Sequence, residues 1–115
     1  MFRDKNINSI GVLTALINPA ASQTDAALVA AVAGKRIVVH QAVTRCGATT
    51  TDITFTSKSG GAGTAITPLF PQAVNDGLTL PFSVDGWFRT NVGEGLSVTT
   101  GAGSATGVLV SYTLA

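Results

Sequence analysis

Charge is scarce in this chain. Only 11% of its 115 residues are Asp, Glu, Lys or Arg, against about 25% in an ordinary soluble domain. A surface with so few ion-pairing groups is poorly protected against association, so the composition points to a homo-oligomer whose surface is partly covered by protein. The net charge of +1 offers no electrostatic attraction to nucleic acid. A single cysteine, Cys46, excludes an intrachain disulfide framework and fits synthesis in a reducing cytosol. No apolar run approaches the roughly 18 to 20 residues of a membrane-spanning helix. One His, one Cys and six scattered acids leave little from which to assemble a catalytic constellation. No spacing of His, Cys and Asp suits zinc, and no Asp-rich loop suits calcium. The residues thus predict a non-enzymatic protein with no cofactor and no metal.

What is abundant is strand signal. Thr51 to Lys58 (TDITFTSK) alternates, with Ile53 and Phe55 on one side and Asp52, Thr54 and Thr56 on the other. Lys35 to Cys46 is rich in β-branched residues. On a period of two, Ile37, Val39, Gln41, Val43 and Arg45 share one face, and Val38, His40, Ala42, Thr44 and Cys46 the other. Neither face is cleanly polar, as in a strand buried on both sides or lying against a partner. TAITPLF, GLTLPF, GLSVTT and TGVLVSYTLA add further strands, and in the last of these Val108, Val110, Tyr112 and Leu114 share a face. Asn75-Asp76-Gly77 and Asp85-Gly86 are turn signals. Asp25 to Val32 is ambiguous, because Asp25 could cap a helix that Gly34 ends. Its shortness and lack of a polar face favour a strand. The sum is about eight to nine short strands with turns every 8 to 12 residues, which is the pattern of an all-β antiparallel sandwich or jelly-roll-like fold.

Several residues invite chemistry. His40 is expected to be a half-buried strand histidine. Its distance from Cys46, on the same face but roughly 20 Å away at about 3.3 Å per residue, excludes a dyad within one subunit. SGGAG and GAGSATG lack the Lys-Ser/Thr of a phosphate loop and do not lead from strand to helix, so both are expected to be hairpin connections. The richest stretch is Asp85 to Gly95 (DGWFRTNVGEG), which holds the only tryptophan, Trp87, beside Phe88 and Arg89, and the only glutamate, Glu94. Gly86 supplies a positive-φ option at the turn. Trp87 and Phe88 then point to opposite faces, one into the core and one outward as an interface anchor. Gly93, Glu94 and Gly95 form a turn whose carboxylate is expected to accept backbone N–H groups.

Four blocks together resemble a recurring small β-protein of tailed-bacteriophage virions. They are Gly34 to Val38 (Gly-Lys-Arg-Ile-Val), Thr54 to Gly60, Leu80 to Leu96 with its Gly-Trp-Phe and Gly-Glu pairs, and Gly107 to Tyr112. The resemblance covers roughly residues 26 to 115, and the Gly-Trp-Phe…Gly-Glu block is its most specific part. It implies a capsid decoration (cement) protein on the virion surface, made in the host cytoplasm, trimeric, with the major capsid protein as partner. A tail-fibre or head-fibre module that binds a host receptor or glycan through Trp87, His40 or Arg89 is the alternative.

Residues 1–24 lie outside that resemblance and are expected to form an N-terminal arm or edge strand preceding a sandwich domain over residues 25–115. The segment makes a poor secretory signal, because Asp4 dilutes its basic start and Asn6 and Asn8 interrupt its apolar region. Pro19 disfavours helix at Asn18. Phe2, Val12, Leu13 and Leu16 make the segment too apolar for a free tail, so it is expected to pair at a sheet edge of its own subunit, a neighbour or the shell.

Overall fold

A computed structural model describes residues 11–115. Over these residues the chain is all β, with ten strands: β1 (Leu13–Ile17), β2 (Ala26–Val29), β3 (Ile37–Cys46), β4 (Thr51–Lys58), β5 (Thr64–Ala65), β6 (Phe70–Gln72), β7 (Thr79–Leu80), β8 (Phe88–Arg89), β9 (Gly95–Thr100) and β10 (Thr106–Leu114). They form two five-stranded antiparallel sheets. The first runs β1-β10-β3-β7, with β8 also on β3; the second runs β2-β9-β4-β5, with β6 also on β4. In each sheet, then, one long strand carries two very short ones side by side along its outer edge.

The two sheets bury their facing side chains against each other. Ile37, Val39, Ala42, Val108 and Val110 come from the first sheet, and Val29, Ile53, Phe55, Leu96 and Val98 from the second. Phe88 joins the layers by packing on Phe55 at a ring-centroid distance of 4.8 Å. Each fully buried side chain of this size contributes roughly 1.5–3 kcal/mol. Alternation in β4 is as the sequence predicts, with Ile53 and Phe55 buried. In β10, Val108 and Val110 are core residues and Tyr112 packs partly against them.

β3 departs from simple alternation. Its register against β10 passes from Gln41↔Ser111 to Val39↔Tyr112, leaving His40 as an extra residue. A bulge of this kind inserts one residue and shifts the phase of the strand. Ile37 and Val39 face the core on one side of it, Ala42 on the other. The mixed faces of the sequence therefore have two causes: the change of phase, and burial on both sides over Ile37–His40, where the outer-face residues Val38 and His40 are also buried. The same shift separates His40 from Cys46, which do not share a face.

Most connections cross between the sheets. SGGAG does close a hairpin, from β4 to β5. The loop between β9 and β10 does not: β9 pairs with β2 and β4, β10 with β1 and β3, so GAGSA arches from the second sheet to the first. TAITPLF also yields two strands in place of one. Thr67 offers its side-chain Oγ1 to the Phe55 N–H at 3.1 Å, and Pro68 has no N–H to continue the ladder. Asp25 to Val32 gives a strand only over Ala26–Val29. Asp25 caps no helix, adopting φ of 51°.

β1 is the edge of the first sheet, paired through five consecutive residues with β10 of its own subunit. Phe2 lies outside the described residues. Nearby, the Thr106 backbone N–H donates to the Pro19 carbonyl at 3.0 Å, but its fully buried hydroxyl finds no partner among the described residues. A buried hydroxyl without a partner is a desolvation cost. Thr106→Val, which keeps the β-branched shape, should raise stability by about 1 kcal/mol, read as a higher urea midpoint at unchanged slope.

Candidate interaction surface

The chemistry-rich stretch Asp85 to Gly95 crosses beside β3 and is anchored to it by backbone bonds. Trp87 N–H donates to the Val39 carbonyl at 2.8 Å, Thr90 N–H to Ile37 at 3.0 Å and Gly93 N–H to Lys35 at 2.7 Å. Gly86 adopts φ of +84°, and a Cβ there would sit 2.5 Å from Val38 Cγ1, so both conformation and space require glycine. Arg89 curls back, donating from Nη2 to the Asp85 carbonyl at 3.0 Å, which closes the turn on itself.

Of the two adjacent rings, Phe88 is the buried one, at 9% exposure, while Trp87 is 47% exposed. Trp87 lies along an open end of the sandwich, where it borders a cleft of about 270 Å³ with Ile66, Phe70 and Leu80. Its indole N–H donates to the Pro81 carbonyl at 2.6 Å, so its one polar group is already engaged within the subunit.

Glu94 sits in the expected turn, with Gly93 at φ of +79° and Glu94 N–H donating to Asn91 carbonyl at 3.1 Å. Its carboxylate partners differ from expectation. Oε1 accepts from the Ser57 hydroxyl at 2.6 Å and from the Asn91 amide at 3.1 Å, tying the turn to the end of β4 through side chains in place of backbone N–H groups. Gly95 starts β9 where a Cβ would lie 2.7 Å from the Val29 carbonyl. Asp25 does a similar job that the sequence did not reveal. Its carboxylate accepts from Thr56 Oγ1 at 2.8 Å and from Gly63 N–H at 2.9 Å, fastening the start of β2 to the β4–β5 hairpin.

His40 lies on the outer side of the sheet but is buried there, 8% exposed. Nδ1 bonds the Ser83 carbonyl at 2.7 Å, which fixes the proton on that nitrogen, and Nε2 lies 2.9 Å from Thr113 Oγ1. The ring stacks on Phe82. Both nitrogens are thus occupied in holding the segment from Pro81 to Gly86 over the sheet. Val12, Val84 and Leu114 complete a cleft of about 330 Å³ around His40, Phe82 and Thr113. Cys46 is buried, with Sγ 2.8 Å from the Ala73 carbonyl. Among the described residues no three His, Cys, Asp or Glu side chains gather as metal ligands.

The outer face of the first sheet is the most distinctive surface. Arg45 lies at one end of it and Arg89 at the other. Between them the outward strand positions are Thr14 and Leu16 of β1, Leu109, Ser111 and Thr113 of β10, and Gln41 and Val43 of β3, while Val38 and His40 on the same side are buried. None is charged. Leu16 is 63% exposed, Leu109 40%, and Val84 in the overlying segment 81%. Leu13, by contrast, is half-exposed on the inward side of β1, opposite Tyr112. Of the residues singled out in the sequence, Val12 and Leu16 belong to this face, whereas Trp87 opens at a different edge. The chain matches no known family model, no characterised protein and no solved structure.

Phe88→Ala should cost about 3–5 kcal/mol and Trp87→Ala clearly less, both read from denaturant unfolding. The carboxyls of Asp25 and Glu94 are both held below their ordinary values, Asp25 by the Gly63 N–H and then the Thr56 hydroxyl, Glu94 by the Ser57 hydroxyl and then the Asn91 amide. A depressed carboxylate stabilises the fold above its unfolded value, and that contribution disappears as pH falls through the folded value. Stability should therefore drop as pH is lowered below about 4, and Asp25→Asn should flatten the drop.

Proposed function

We propose that this chain is a non-enzymatic virion structural protein of a tailed phage, a capsid decoration (cement) protein that binds and reinforces the head shell, acting as a homo-oligomer with the major capsid protein as its partner. The observation that carries the reading is the uncharged outer face of the first sheet with its exposed Leu16, Leu109 and Val84. Exposed apolar groups gathered on one face mark a protein contact, and depletion of charge is the compositional sign of the buried centre of such a contact. The sparse charge of the whole chain and the resemblance of its Gly-Trp-Phe…Gly-Glu block to phage virion proteins support the same reading.

A glycan-binding fibre module would draw on Trp87, which is exposed. That reading is weaker. The indole N–H is already bonded to Pro81, and the cleft beside it is walled by Ile66, Phe70 and Leu80 without the convergent polar groups that orient a sugar.

The test is addition of the pure protein to expanded empty heads. Saturable binding at a fixed ratio to the shell subunits, with a higher melting temperature of the shell, is the expected result. Val84→Glu, which places a charge in the face without touching the core, should weaken that binding about tenfold or more. Absence of binding to heads, with binding to tails or to host glycans, would overturn the reading.

A further inference from the structure

Three of the four sheet edges are built so that no further strand can be added easily. The β7/β8 edge consists of two two-residue strands, one followed by Pro81 and the other carrying Arg89. The β5/β6 edge consists of strands of two and three residues and holds Pro71. On the β2 edge the ladder is broken between Ala27 and Val29, just after Asp25. Short strands, proline, charge and bulges are the standard protections of an edge. Within Leu13–Ile17 β1 has none of them, and its first proline, Pro19, lies beyond Asn18. The strand is Leu-Thr-Ala-Leu-Ile, uncharged, five residues long and in unbroken register.

The register also shows which of its backbone groups point away from β10. Thr106 N–H donates to the Pro19 carbonyl, and that pair continues the ladder of Ile17↔Val108. Hydrogen-bonded pairs recur at every second residue of an antiparallel ladder, so Ile17, Ala15 and Leu13 bond β10. Thr14 and Leu16 then turn their N–H and C=O outward. Among the described residues, no strand pairs with β1 on that side.

We infer that β1 is a self-association edge that pairs antiparallel with β1 of a second copy about a twofold axis at Leu16. The occupant follows from complementarity. The outward N–H and C=O groups take a further strand, the lack of charge suits an uncharged one, and a second β1 related by a twofold axis supplies both in antiparallel orientation. With Leu16 opposite Leu16 of the partner subunit, Thr14 meets Asn18 of the partner subunit, and the outward groups of each strand face those of the other. That register also extends a row of side chains. Val43, Leu109 and Leu16 are in-register neighbours on the outer face, and the twofold joins the row to its own copy without interruption. Alone, this contact gives a dimer and not the trimer implied by the phage resemblance, so oligomer number tests it independently of shell binding.

The experiment is sedimentation equilibrium of the full chain over a concentration series, with three variants. The wild type should approach twice the monomer mass. Thr14→Pro removes an outward N–H and leaves every bond to β10, and Leu16→Lys adds an edge charge. Each should weaken self-association about tenfold or more while leaving the unfolding midpoint unchanged at dilutions where the wild type is also monomeric. Leu16→Cys should form a disulfide-linked dimer on mild oxidation, which the buried Cys46 of the wild type should not. A monomer at all concentrations, a trimer, or a dimer that survives both Thr14→Pro and Leu16→Lys and fails to cross-link through Leu16→Cys would overturn the inference. Should Thr14→Pro unfold the chain, Leu16→Lys and the cross-link decide. Shell binding that persists in the monomeric variants would leave the decoration reading standing without this contact, and self-association without shell binding would do the reverse.

Discussion

The extra residue in β3 is the constraint on which the rest of the molecule depends. β3 pairs with three other strands, and both of its halves must present apolar side chains to the second sheet. A strict two-residue period would satisfy one half only. The bulge at His40 lets Val39 and Ala42 both reach the core and leaves His40 on the outer side. There its ring nitrogens bond Ser83 and Thr113 and its ring stacks on Phe82. That fixes the path of the segment leading to Trp87 and Phe88, and so brings Phe88 onto Phe55 from across the sandwich.

Scarcity of charge has a structural counterpart in the hydroxyl and carboxylate knots. Thr and Ser side chains take over backbone partners where strands begin or break. Thr90 Oγ1 accepts the Ile37 N–H at 2.9 Å, Thr99 Oγ1 the Asp25 N–H at 3.0 Å, and Ser104 Oγ the Gly47 N–H at 3.0 Å. These bonds join residues far apart in sequence. They give the small domain cross-links of directional geometry that do not expose ionic groups to solvent, and they leave the outer sheet face free to be neutral.

Much of this was legible in the sequence, for physical reasons that differ by element. Ile53 and Phe55 alternate with Thr because β4 is regular over its length, and Val108 and Val110 stand out for the same cause. The all-β class follows from such strands and from the turn residues between them. The phase change in β3 was not legible, because a bulge is specified by pairing with β10 and leaves no mark in a single strand's composition. For the same reason GAGSA looked like a hairpin: glycine and serine permit a tight turn but do not state which sheet the chain enters next. The block around Trp87 was recognisable as a corner with one buried ring, yet which ring is buried depends on Phe55, more than thirty residues earlier. Glu94 was visible as a turn residue; its hold on Ser57 was not, and Asp25, conspicuous only as a possible cap, gave no sign of the Thr56 and Gly63 bonds that occupy it.

The position of β10 in the first sheet sets the order in which the protein can come together. It lies between β1 and β3, yet it follows all nine other described strands in sequence. Until it emerges from the ribosome, β1 lacks its β10 partner, and the apolar side chains of β3 lack the lateral neighbour that positions them. Assembly therefore waits on closure of very long loops, which slows folding and lengthens exposure of unpaired edges. A chain shortened by its final strand would lose the seam of the sheet and not merely its border, and should be cleared as an unfolded polypeptide.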